Sequence, residues 1–128
     1  MIIKNFTPHS ITIFADTTFD PSIRKYRGGT PICTIPKADR MLSAHQKPQI
    51  PAAPLETESG FIPLRSAPEW ASVDPIPDAT ECDYAIVSAL YVSACKDLGM
   101  DTSRLLTIGG SVVDDAGKII GTVWLNRN

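Results

Sequence analysis

The chain is expected to fold as an α+β domain: a twisted, mainly antiparallel sheet with one short helix packed on it and long proline-rich loops. Three observations carry that expectation. Short β-branched and apolar runs recur along the 128 residues, separated by proline, glycine and aspartate. A single segment, after residue 87, switches from a strand pattern to a helical one. Most of the 11 prolines fall between Pro31 and Pro77, which puts the irregular part of the fold mid-chain. The length suits one domain over residues 1–128, with excursions at about 16–30 and 48–80. Hydrophobic residues make up 43%, enough for one core, so wholesale disorder is not expected.

The elements follow in order. Residues 2–6 and 10–15 are β-rich and flank Thr7-Pro8-His9, which reads as a turn because proline biases the residue before it to an extended form. Residues 31–36 form a short strand bounded by prolines, hence an edge. Residues 40–46 read as a strand or a helical turn. Residues 48–58 and 67–80 read as connections, with a proline-weakened strand at 61–65 between them. Residues 84–87 are a buried strand running into a helix. Ser88 is its expected N-cap, Gly99 its left-handed terminator, and Leu90, Tyr91, Ala94, Cys95 and Leu98 its apolar face. Leu105-Leu106-Thr107-Ile108 is a strand stopped by Gly109-Gly110. Two further runs flank Asp114-Asp115-Ala116-Gly117, a hairpin turn.

Charge and cysteine content exclude several classes. The net charge of −2 and a single basic cluster, Arg24-Lys25-Tyr26-Arg27, argue against gripping an extended nucleic acid. Cys33, Cys82 and Cys95, an odd count without Cys-x-x-Cys, read as small buried hydrophobes rather than a disulfide framework or a zinc site. The first residues turn polar too early for a signal peptide, and no apolar run approaches the roughly 20 residues of a membrane span. A cytoplasmic protein is expected, with no membrane partner, no metal and no cofactor.

The candidate site residues are few. Ser88 and Ala89 open a helix, where unpaired N–H groups attract anions; a plain N-cap is the other reading. Ser88 lacks the flanking glycines of a nucleophile elbow. His9 reads as a ligand contact or as a turn histidine bonded to nearby backbone. Arg65 and Arg104 lie next to strands, either able to neutralise a phosphate or to lie on the surface. His45 reads as solvent-facing. Asp114 and Asp115 read as turn residues, and Trp70 and Trp124 as core or interface. Loops around Phe19, Tyr26 and Trp70 are candidate pocket rims. No catalytic constellation stands out, and a non-enzymatic role is expected.

Three segments, taken in order, resemble one family. They are Asn5-Phe6-Thr7-Pro8-His9, Ile86-Val87-Ser88-Ala89-Leu90 and Asp114-Asp115-Ala116-Gly117-Lys118-Ile119-Ile120-Gly121. Small proteins from tailed phages and prophages open with Asn-apolar-Thr-Pro-His, carry an Ile-Val-Ser-Ala-Leu joint and close with an Asp-x-x-Gly-x-Ile-x-Gly hairpin. The resemblance covers about a third of the chain, the two ends and the joint, and departs from it in the middle. It implies a phage or prophage origin and residence in the host cytoplasm, without supplying a reaction. The function expected from these readings together is capture of a small phosphate-bearing nucleotide signal by a homo-oligomer, without turnover, to counter host defence. The alternative is an interaction module that blocks a host protein or serves phage assembly.

Overall fold

The structure, a computed structural model, describes all 128 residues. Its centre is a sheet in the order β1(Ile3–Asn5), β10(Tyr84–Ile86), β11(Leu105–Val113), β12(Ile119–Arg127), β2(Ile11–Ala15), β5(Thr30–Ile35). A small pair, β3(Thr18–Asp20) and β4(Lys25–Arg27), joins it where β4 runs parallel to the far end of β11. The remaining strands form β6(Ala44–Gln46) with β9(Trp70–Val73) and β7(Pro51–Thr57) with β8(Gly60–Arg65). The one helix is α1(Ala89–Asp97). The chain is thus α+β with strands dominating.

The sheet is mixed rather than mainly antiparallel. β1, β10 and β11 are parallel neighbours, and β12 meets β2 in parallel. β11–β12 and β2–β5 are antiparallel. The sheet curls until its two ends meet: a bridge joins Asn5 to Lys37, just past β5, and the Ala38 amide donates to the Asn5 carbonyl at 2.7 Å. β5 itself pairs only with β2 and stays an edge strand, the position its flanking prolines suit.

Alternation along the strands divides the interior in two. Ile86 and Leu106 turn inward and pack with Ile11, flanked by Ile3, Ile13, Ile35 and Leu125. Their neighbours Ala85, Val87 and Leu105 face the other way, under Tyr91, Val92 and Cys95 of α1 and Phe6, Leu42 and Cys82. β10 is therefore buried on both faces, which is why residues 84–87 read as a continuous apolar run. Two clusters share the strands where one core was expected.

The helix begins and ends as its sequence indicates. Ser88 has extended backbone and its hydroxyl accepts from the Tyr91 amide at 3.1 Å. Gly99 takes φ +74° just past the end. Its buried face is Tyr91, Val92, Ala94 and Cys95. Leu90, expected inward, is 62% exposed because the sheet lies under Tyr91 and Val92, half a turn away.

Several local expectations are corrected. Gly109-Gly110 does not stop a strand: β11 runs through it. Gly110 has φ +64°, and a Cβ there would lie 2.6 Å from the Trp124 ring. The glycine bends the strand and gives the indole its seat. Residues 48–65, read largely as a loop, form a hairpin. Each of its strands has one free edge, where a proline's missing N–H costs no ladder bond. The ladder continues from β7–β8 through Lys47 N–H to Glu69 O at 2.8 Å into β6–β9, making one long two-stranded ribbon. The excursion at 16–30 likewise holds β3 and β4. Cys33 is exposed on β5, whereas Cys82 and Cys95 are buried, and burial pushes both thiols up. No helix is long and apolar enough to cross a membrane.

Candidate functional site

The site is built from the buried Asn5 upward. Its side chain is fully enclosed at the end of β1. Nδ2 donates to the carbonyls of His9 (2.7 Å) and Ile35 (3.3 Å). Oδ1 accepts from the Thr7 amide (2.9 Å) and the Thr7 hydroxyl (2.6 Å). A buried polar side chain must satisfy all its groups, and here doing so shapes the chain from Thr7 to His9 into a closed turn. The Asn-x-Thr-Pro-His run is thereby a structural unit. It holds the His9 backbone rigidly and leaves the His9 side chain exposed.

Next to this turn β10 ends and α1 begins. The Ser88 hydroxyl satisfies the Tyr91 amide, and the Val92 amide donates to the Ser88 carbonyl at 3.2 Å. The amides of Ser88, Ala89 and Leu90 donate to no group of the chain. They are free donors at the positive end of a nine-residue helix.

A cavity of about 570 Å3 opens in front of these two segments. Its walls are residues 7–11, residues 87–89, Thr107 and Ile108 of β11, and residues 119–122 of β12. It lies beyond the carboxyl ends of the parallel strands β1 and β10, the usual place for a ligand in such sheets. Gly121 is shaped for this corner: a side chain there would collide with the Thr12 carbonyl and the Phe14 ring on β2. Thr122 is buried, and its hydroxyl donates to the Gly109 carbonyl. His9 is the one titratable side chain on the walls, and no carboxylate faces the cavity. A second hollow of about 200 Å3 lies on the other side of Thr7, Pro8 and Ser88, against Phe6, Leu42 and Leu90.

The three segments that carry the family resemblance thus meet around one cavity. His9, Ser88 and Ala89 are brought together there. Arg65 and Arg104 are not. Arg65 stands on β8, its guanidinium reaching the Gln49 carbonyl at 3.5 Å. Arg104 donates to the carbonyls of Pro77 (2.8 Å), Cys82 (2.6 Å) and Asp83 (3.3 Å). Its donors are committed to holding the 77–83 loop, because part-buried carbonyls outside regular structure need partners. It is a structural arginine.

The other candidates resolve simply. His45 Nε2 lies 2.9 Å from Asp74 Oδ1 at the ribbon root, and that bond holds the Asp74 carboxyl below its usual range. Asp114 is a turn residue: Oδ1 accepts from the Ala116 and Lys118 amides, both at 2.9 Å. Phe19 and Tyr26 form no rim of the cavity; they continue an aromatic row to Trp124, with centroids 5.1 and 5.7 Å apart. Sequence reasoning missed Asn5 and Thr7 as the architects of the turn, although Asn-x-Thr at a strand end is an Asx-turn signal. It also missed the β11 and β12 walls, which no local pattern marks. No group of three or more His, Cys, Asp or Glu side chains comes together. No family model matches this chain, and neither a curated protein nor a solved structure matches it.

Proposed function

We propose that this protein binds a small phosphate-bearing ligand of the nucleotide class in the cavity between the Thr7–His9 turn and the start of α1, and holds it without turnover. The observation that carries the reading is the set of free amides at residues 88–90, two of whose residues wall an uncharged cavity large enough for such a ligand. The phosphate meets the helix start, with His9 beside it. The base or sugar lies on Ile108, Ile119 and Ile120. A wall with one titratable side chain offers no acid–base pair, which favours capture over chemistry. On the family resemblance, the captured molecule is a nucleotide signal of host defence and the protein a phage-encoded sponge.

Ala89→Pro tests the site. Proline is well tolerated at the first helical position, and the extended backbone of Ser88 (ψ 153°) suits a following proline. The variant keeps the fold and deletes one donor. Cyclic dinucleotides, ADP-ribose compounds and mononucleotides are titrated calorimetrically into both proteins. At least one is expected to bind the wild type, with affinity reduced about tenfold in the variant, the loss of one charge-assisted hydrogen bond. Absence of binding by every compound, or equal affinity in the two proteins, overturns the reading.

A further inference from the structure

The β7–β8 end of the ribbon has no counterpart to the sheet and helix that cover the rest of the chain. Each strand is hydrogen-bonded only to the other, and nearly every residue from 50 to 65 is exposed. A lone two-stranded hairpin is at best marginally stable in water. Yet Ile50, Leu55, Phe61, Ile62 and Leu64 are 42–68% exposed on it. The pairs Ala52–Leu64 and Leu55–Ile62 place four apolar side chains on one face. Pro51, Pro54 and Pro63 lie on these strands. Proline at a free edge blocks addition of a further strand, so the ribbon offers its face and not its edge.

We infer that this ribbon is a dimerisation arm: two copies of the chain exchange arms, each laying its apolar face on the partner's Phe19–Tyr26–Trp124 row. Two observations select a second copy as the occupant. The first is charge. The arm's turn carries Glu58, and Arg24 and Lys25 stand at the turn beside the aromatic row; none of the three takes part in an ion pair within the chain. Phe19 and Trp124, which flank Tyr26 in that row, are about half exposed. The second is area. Ile50, Leu55, Ile62 and Leu64 share that face and are each about half exposed; at roughly 100 Å2 apiece, covering them on both arms together with an equal area of the surfaces they land on removes roughly 1,600 Å2 from water. A stable interface needs roughly 1,200–2,000 Å2. Reciprocal exchange reaches that figure, and two-fold pairing is the commonest symmetry of soluble oligomers. The assembly does not depend on the cavity holding a ligand.

Sedimentation equilibrium of the full chain is the test. The wild type is expected to be a dimer at about 50 µM. Leu55→Glu with Ile62→Glu is expected to weaken association at least tenfold, with an unchanged far-ultraviolet circular dichroism spectrum. A charge exchange provides a second handle. A chain bearing Glu58→Lys, and a chain bearing Arg24→Glu and Lys25→Glu, should each associate poorly alone. Mixed, they should form a heterodimer, because one contact is then reversed in sign and the other is native. A monomeric wild type overturns the proposal and leaves the arm to a partner of other chemistry. Dimerisation that survives Leu55→Glu with Ile62→Glu overturns the arm as its cause. Failure of the mixed chains to pair overturns the basic turn as the landing site.

Discussion

The curled sheet and the ribbon are made from similar residues and end in opposite situations. Tyr84-Ala85-Ile86-Val87 and Phe61-Ile62-Pro63-Leu64 are both short apolar runs. The first has a strand on each side, a helix over one face and the sheet's inner cluster under the other. The second has one strand beside it and water on both faces. Burial is thus a property of how many layers a strand is given and not of its composition. The same contrast separates two kinds of site. On the sheet side, the side chain of Asn5 is fully hydrogen-bonded beside a preformed cavity, and the free donors there are the backbone amides at the helix start. On the ribbon side, apolar groups are left without cover.

That contrast can be broken most forcefully at Asn5. Asn5→Ala removes a fully enclosed hub: the Thr7 amide and hydroxyl lose their acceptor, and the His9 and Ile35 carbonyls each lose a donor. The expected loss is about 3 kcal/mol, as several buried groups lose their partners together. Urea denaturation reads it, and a loss under about 1 kcal/mol would show that the turn holds its shape without the asparagine. A smaller effect is expected where the two regions join. Tyr91→Phe deletes the hydroxyl that donates to the Asp74 carbonyl at 2.6 Å. About 1 kcal/mol should be lost in the same measurement. Hydrogen exchange should quicken in β6 and β9 while β10 and β11 stay protected.

The smallest effect sharpens the same joint through pH. The Asp74 carboxyl is held below 3.8 chiefly by its hydrogen bond to His45, then by the Ser43 amide. A carboxyl lowered in the folded state stabilises the fold above its unfolded value, and that contribution disappears as pH falls through the folded value. The ribbon root should therefore loosen only below about pH 4, and His45→Ala should flatten the dependence. Thermal melting at stepped acid pH reads it. An unchanged acid limb in the variant would show that the pair contributes nothing, the common fate of exposed pairs.

Much of the local structure was legible in the residues. The strand-to-helix switch at Ser88, the glycine that ends the helix and the Asp114 turn are each specified within a few positions, by hydrogen bonds and backbone preferences that act over that range. The strand alternation of the core was legible for the same reason. The candidate site was half legible. His9, Ser88 and Ala89 lie at chain punctuation marks and do reach the cavity. Arg65 and Arg104 stand out in the sequence by their charge beside strands. Charge does not say whether a guanidinium is already occupied, and the carbonyls of Pro77 and Cys82 occupy that of Arg104.

What the residues fixed locally was therefore where the chain bends, starts a helix and turns back. Which bends face one another came from packing. The first turn, the helix start and the last hairpin are separated by more than a hundred positions from end to end, and they share a wall because the sheet curls until β1 meets the chain past β5. Likewise no composition rule distinguishes residues 61–64 from residues 84–87. Contact between distant strands is set by the sum of many weak, non-directional burial terms, and a local window contains none of its own partners.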